Sequence, residues 1–306
     1  MPQLQQILMG NEPGSTERRV GFAISLNLLA FLCFATMDTG AKWLVTTAMT
    51  ALQVTWLRYL VHFLWVLVLY FPTHGSSLVR SKQPIQQAFR GCLLLAGTLF
   101  NFAALHYLPL TVTIAIFFSV PLIVCLLSIP ILGETVGIRR LSAVFAGFCG
   151  VLVIVAPWNE SFDPHVVLSL VAVLCVSGYF VMSRRVAGVD NNAIMQFYTS
   201  GIATALLTPA VWVLAPMSFD NGIKPWLVAA LVGSLGMLGH SMLTRAHRHA
   251  EASVLAPTVY SQAIYIVIFS WFIFGQAPNA STIVGTLIIV ASGLYLWLRE
   301  KRGMSV

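Results

Sequence analysis

The sequence predicts an all-α membrane protein of ten transmembrane helices arranged as two inverted five-helix repeats. Three observations carry this prediction. The 306 residues are 58% hydrophobic and 9% charged, whereas a soluble domain carries about 25% charged residues, so the chain cannot clothe itself in polar surface. One half of the chain matches the other at a constant offset of 142 positions. The basic residues gather at alternate ends of the apolar runs and so follow a bilayer.

Apolar runs of about 20 residues, enough to span a hydrocarbon core at about 1.5 Å per residue, recur along the chain. The helices are expected near 21–47, 51–71, 88–107, 109–132, 138–157, 165–184, 192–215, 225–247, 252–275 and 280–298. Barrel strands would show short alternating segments instead of long unbroken ones. The first run is too long for a signal-peptide core and has no clear small-residue cleavage site after it, so it reads as a retained helix.

A net charge of +7 would suit nucleic acid only if it formed one patch, and it does not. With the N-terminus in the cytoplasm, 14 of the 17 basic residues fall at cytoplasmic ends: Arg18, Arg19, Arg80, Lys82, Arg90, Arg139, Arg140, Arg184, Arg185, Arg245, Arg248, Arg299, Lys301 and Arg302. The positive-inside rule therefore predicts a multi-pass protein of a bacterial inner membrane with both termini cytoplasmic. Cys33, Cys92, Cys125, Cys149 and Cys175 all fall in predicted helices with no CxxC and no histidine at ligand spacing. They read as small core residues, and neither a metal nor a cofactor is expected.

At the offset of 142, Cys33 pairs with Cys175, Gly91 with Gly233, Gly97 with Gly239, Ala104 with Ala246, Ser119 with Ser261 and Gly133 with Gly275. Five helices per half is an odd number, so the second half must enter the membrane from the other side. Charge tests this independently. Residues 133–140 read GETVGIRR and are basic, while their counterparts 275–282 read GQAPNAST and carry no Lys or Arg. The expected organisation is a cytoplasmic tail 1–20, repeats 21–158 and 163–299, and a cytoplasmic tail 300–306. Inverted halves that exchange conformations open a shared site first to one side and then to the other, which points to transport by alternating access.

Residues 37–43, MDTGAKW, together with the stretch from Ala104 to Pro121 that leads to Gly133 and Glu134, resemble the drug/metabolite transporter superfamily, in particular a ten-helix member with two EamA-type repeats. The resemblance covers nearly all of residues 21–298. The first helix is similar to a branch that includes bacterial riboflavin transporters and S-adenosylmethionine carriers, while other branches export amino acids or metallophores. It implies a secondary transporter of a small organic metabolite, with riboflavin or another flat heteroaromatic solute as the leading substrate. The second half departs from the pattern, with Gln276 at the position of the repeated Glu.

Asp38 is the only acidic residue deep in a predicted helix, where a charge costs at least about 2.5 kcal/mol. It needs a partner. Lys42 lies one turn away and Arg58 is placed at a similar depth, so these residues form either an ion-paired gate or coupling site, or a clamp between the first two helices. His62 shares a face with Arg58 and is either a pH-sensitive lining residue or a packing histidine, as is His240. Asn101, His240 and Thr244 are polar neighbours of glycines that allow close helix approach. Tyr260, Gln262 and Tyr265 follow Pro257, which weakens the backbone ladder. Ser119 beside Pro121, and Ser177 with Tyr179, offer comparable polar positions. Asn101, Ser119, Ser177, Tyr179, His240, Thr244, Tyr260, Gln262 and Tyr265 are thus the candidate cavity lining, and Asp38, Lys42, Arg58 and His62 the candidate gating or coupling set.

Expected partners are a small-molecule solute and membrane lipid, with a second copy of the chain as a candidate and no nucleic acid. The chain has no GxxxxGK[ST] loop, so ATP drive within it is not expected. An intramembrane enzyme using Asp38, His62 and His240 is the competing class. It lacks an HExxH or a recognisable Ser/His/Asp arrangement, and no catalytic residue is assigned.

Overall fold

The computed structural model of the chain describes residues 13–133, 138–155, 163–186, 189–217, 222–246, 249 and 255–303. Among these, every regular element is helical. Seven segments are long and apolar enough to cross a membrane, and three shorter apolar helices, Phe145–Ile154, Thr258–Phe274 and Ala280–Tyr295, occupy the remaining predicted positions. Glu134, Trp158 and Arg248 lie outside the described residues.

Helix α1 (Pro13–Thr47) runs outward well beyond the apolar stretch, so part of the expected N-terminal tail is helical. Helix α2 (Ala51–His74) starts in a capping box: Thr50 Oγ1 accepts from Gln53 N–H, and Thr50 N–H donates to Gln53 Oε1. Helix α3 (Pro84–Tyr107) has proline in its first turn, where a missing N–H costs nothing.

The fourth predicted span is two helices, α4 (Leu110–Phe117) and α5 (Val120–Leu132), because Pro121 supplies no N–H to continue the ladder. After α6 (Ile138–Val155) come α7 (Val166–Arg185), α8 (Asn192–Leu214) and α9 (Lys224–Ala246). The ninth span has its own break, a 3-10 turn at Ala256–Tyr260 that leads into α10 (Ser261–Phe274). Helix α11 (Ala280–Gly303) ends the chain.

The offset seen in sequence maps α1 on α7, α2 on α8, α3 on α9, α4 and α5 on the 3-10 turn and α10, and α6 on α11. The packing follows that map. The contact of α1 with α9 has its counterpart in α3 with α7, α1 with α10 in α5 with α7, and α2 with α9 in α3 with α8. The pairs α2 with α8 and α6 with α11 map onto themselves. Gly133 and Gly275 close equivalent helices in the same left-handed conformation, with φ of 71° and 64°, a backbone state that glycine adopts without steric penalty. Large apolar side chains such as Phe71, Phe145, Trp212 and Phe272 point outward, as a lipid-facing surface requires.

Candidate functional site

Between the halves lies a cavity of about 560 Å³, lined by residues of α1, α2, α3, α4, α5, α7, α9, α10 and α11. It reaches one end of the bundle, where Asn27 of α1, Arg184 of α7, Leu243 of α9 and Leu294 of α11 line it. At the other end the walls meet. Lys42 Nζ donates to Leu108 O at 2.7 Å and Leu105 O at 3.4 Å, His106 Nδ1 to Val45 O at 2.6 Å, and Gln53 Nε2 to Ala215 O at 3.1 Å and Pro216 O at 3.0 Å.

The polar chemistry sits where α1, α2, α3 and α10 converge. Asp38 faces the cavity, with Asn101 Nδ2 donating to its Oδ1 and Gln262 Nε2 to its Oδ2, both at 3.4 Å. These bonds are long for charge-assisted ones, which run to about 2.9 Å. Arg58, 3% exposed, reaches the same cavity from α2. Its Nη1 donates to Thr98 Oγ1 at 3.3 Å, its Nε lies 3.4 Å from Met37 Sδ, and its guanidinium stands 4.6 Å from the Tyr59 ring centroid. Thr98 donates its one hydroxyl proton to Leu94 O at 2.8 Å, so Tyr59 is the donor in the 2.9 Å contact between their hydroxyls.

Asp38 and Arg58 are not ion-paired; among the described residues the one ion pair within 4.0 Å is His165 with Asp163. The expectation that Lys42 partners Asp38 is also corrected. One turn along α1 the ammonium turns away and caps the C-terminal carbonyls of α3, because four unsatisfied carbonyls and the negative end of a helix dipole attract a cation.

Of the nine predicted lining residues, Asn101, Tyr179, His240, Tyr260 and Gln262 line the cavity. The other four do not. The hydroxyls of Ser119 and Thr244 donate back to Ile116 O and His240 O, Ser177 is fully buried against Val120 O, and Tyr265 packs against the apolar core. A helical Ser or Thr satisfies itself on a preceding carbonyl, so its polarity alone says little about which face it occupies. His62 lies behind the lining, stacked on His240 at 6.2 Å, and neither of its ring nitrogens meets a hydrogen-bond partner by geometry, though Gln196 lies beside it.

Four residues outside the sequence-based set matter to the geometry. Thr98 positions Arg58, and Asn27 ties α1 to the 3-10 turn through Thr258 Oγ1 at 2.6 Å. Arg184, read from sequence as a cytoplasmic charge, lines the cavity. Arg90, read the same way, is 2% exposed. It donates to Gln87 Oε1, Tyr179 Oη, Met195 O and Thr199 Oγ1, joining α3, α7 and α8. No group of three or more His, Cys, Asp or Glu that could hold a metal occurs among the described residues.

Two pseudo-symmetric helical halves around a central cavity, with an apolar outer surface, define a multi-pass membrane protein built to enclose a small solute. The chain belongs to the EamA-like transporter family, whose model matches residues 21–156 and again 164–298. It is 27% identical over 282 residues to an S-adenosylmethionine uptake transporter of Rickettsia felis, covering 91% of this chain and 93% of that protein. It is 27% identical over 283 residues to a riboflavin transporter of Brucella anthropi, covering 89% and 96%, and 24% identical over 284 residues to the pseudopaline exporter CntI of Pseudomonas aeruginosa, covering 92% and 97%. A solved crystal structure shares the fold with a TM-score of 0.63 at 20% identity, over 92% of this chain and 98% of that one. Family and relatives together make this chain a transporter of a small metabolite.

Proposed function

We propose that the chain is a secondary transporter working by alternating access, with the cavity between its halves, repeats 21–158 and 163–299, as the solute site. The observation that carries this reading is the closure of one end of the cavity by the hydrogen bonds of Lys42, His106 and Gln53, while its lining extends to the opposite end at Asn27, Arg184 and Leu243. The positive-inside rule assigns that opposite end, where Arg184 and Arg245 lie, to the cytoplasm, together with both termini, in a bacterial inner membrane.

The solute class we favour is a flat heteroaromatic such as riboflavin. Phe34, Phe118, Tyr179 and Tyr260 line the cavity together with Asn101 and Gln262. Its volume falls within the roughly 300–1,000 Å³ of small-molecule sites. Asn101 Oδ1, buried without a partner, offers an acceptor that a solute N–H or O–H would satisfy. Asp38 and Arg58 serve this reading as the coupling pair.

One observation favours a second solute, S-adenosylmethionine. Asp38 faces the cavity with no cationic side chain within 4.0 Å among the described residues, which suits a solute that brings its own positive charge. Thermal unfolding of the purified protein against riboflavin, S-adenosylmethionine and adenosine separates the two, since a bound solute raises apparent stability by mass action. A rise with riboflavin is expected, a rise with S-adenosylmethionine alone selects the second reading, and no rise with either refutes both solutes.

A further inference from the structure

Tyr179 lines the cavity, and its hydroxyl meets Arg90 Nη1 at 3.2 Å. A guanidinium stays protonated and has no lone pair to offer, so Tyr179 Oη is the acceptor in that bond. Its own proton has no acceptor among the described residues. The phenol is left as a hydrogen-bond donor at the wall of the cavity.

Arg90 is held too firmly to trade this bond for another. Its Nε donates to Gln87 Oε1 at 3.0 Å, and its Nη2 donates to Met195 O and Thr199 Oγ1, both at 2.8 Å. Thr199 spends its own proton on Met195 O at 2.7 Å, and Gln87 Nε2 donates to Asp190 Oδ2 at 2.9 Å. A chain of hydrogen bonds thus runs from Asp190, just before α8, through α3 to the cavity wall. Bonds in such a chain polarise one another, and a hydroxyl that accepts from a cation is a stronger donor for it. The first half has no such donor. Met37, 142 positions before Tyr179, also lines the cavity with an arginine beside it, Arg58 Nε at 3.4 Å from its sulfur. A thioether is a weak acceptor with no proton to pass on.

We propose that Tyr179 is a specificity-determining residue that donates its hydroxyl proton to an acceptor on the solute, a ring nitrogen or a carbonyl oxygen, and that Arg90 is the positioning residue that fixes the direction of this bond. The proposal rests on the reading of the cavity as the solute site and adds a rule of selection to it. A solute whose edge offers a lone pair to Tyr179 is taken. One that presents only donors there leaves the phenolic proton without a partner, a mismatch that a polar site penalises strongly.

Equilibrium dialysis of the purified full-length protein against riboflavin and against S-adenosylmethionine, both of which carry ring nitrogens, tests this. Tyr179→Phe should weaken binding of the solute that the wild type takes by about tenfold, the scale of one hydrogen bond strengthened by its neighbours. The fold is retained in that variant, because Arg90 Nη1 keeps Ser183 Oγ at 3.4 Å. A ring-fluorinated tyrosine in place of Tyr179 has a more acidic hydroxyl and should bind the solute more tightly than wild type, a response that a packing role would not give. Arg90→Lys should weaken binding in the wild type but cause no further loss in Tyr179→Phe, because the arginine acts through the hydroxyl. Wild-type affinity in Tyr179→Phe, or weaker binding by the fluorinated protein, overturns the donor and leaves the cavity standing as the solute site. An equal loss from Arg90→Lys in both backgrounds overturns the positioning role. Absence of binding of either solute by the wild type overturns the solute reading itself, and the proposal with it.

Discussion

Gly97 meets Val176 as Gly239 meets Phe34, and both members of the second contact lie 142 positions from their equivalents in the first. A methyl group on Gly97 would sit 2.6 Å from Val176 Cγ2, and one on Gly239 would sit 2.6 Å from Phe34 Cε1. The same close helix approach has been kept on both sides of the cavity, with a small residue on α3 or α9 and an apolar one on α7 or α1.

Gly97→Ala and Gly239→Ala should each destabilise the protein by about 1–3 kcal/mol through overpacking. Gly21→Ala is the control, because nothing lies within 4 Å of its added methyl, and it should fall within about 0.5 kcal/mol of wild type. Thermal or denaturant unfolding in detergent reads all three.

Asp38→Asn should lower solute uptake into proteoliposomes by roughly tenfold or more, the scale of about 1.4 kcal/mol lost from one charged interaction. Membrane insertion and expression should stay normal, since removing a charge from an apolar helix eases its insertion. Uptake equal to wild type across the pH range would show that this carboxylate neither couples nor gates.

The loop residue Asp190 should confer a pH-dependent increment of stability. Partial burial pushes its carboxyl up, but hydrogen bonds from Ser81 Oγ at 2.6 Å, Lys82 N–H at 3.1 Å and Gln87 Nε2 at 2.9 Å outweigh that and hold it below the ordinary range. A carboxyl whose value is depressed on folding stabilises above its unfolded value, about 3.9, and loses that stabilisation as pH falls through the folded value. The melting difference between wild type and Asp190→Asn should therefore be constant from neutral pH to about pH 5 and shrink below about pH 4. A difference that grows on acidification would contradict this.

Arg90→Met should cost at least about 2 kcal/mol, because it leaves Gln87 Oε1 without its donor and removes the hydrogen bonds that join α3 to Met195 O and Thr199 Oγ1 of α8. Arg90→Lys, with fewer donors in a different geometry, should recover only part of this. Unfolding in detergent measures both.

Much of this architecture was legible in the sequence. Length and apolarity placed the helices, and the pairs from Cys33 with Cys175 to Gly133 with Gly275 gave the repeat that the packing obeys. Asp38 and Arg58 were legible as site candidates because charge in an apolar helix is costly enough to need a reason. Tyr179, Tyr260, Asn101, Gln262 and His240 also reach the cavity. What sequence hid was direction. Lys42 is near Asp38 in the chain but finds the end of α3, and Arg90 looks like any basic residue at a cytoplasmic helix end until α7 and α8 close over it. Ser119, Ser177 and Thr244 looked polar but spend their hydroxyls on backbone carbonyls, a choice fixed by the packing around each helix.

Counterflow in proteoliposomes tests the central claim most directly. Vesicles preloaded with unlabelled riboflavin or S-adenosylmethionine and given a trace of the labelled solute outside should take up label to a transient level above equilibrium, with saturable kinetics, because a site that faces one side at a time returns loaded. Uptake of both solutes that rises linearly with concentration and ignores the preload would contradict alternating access and leave a channel in its place.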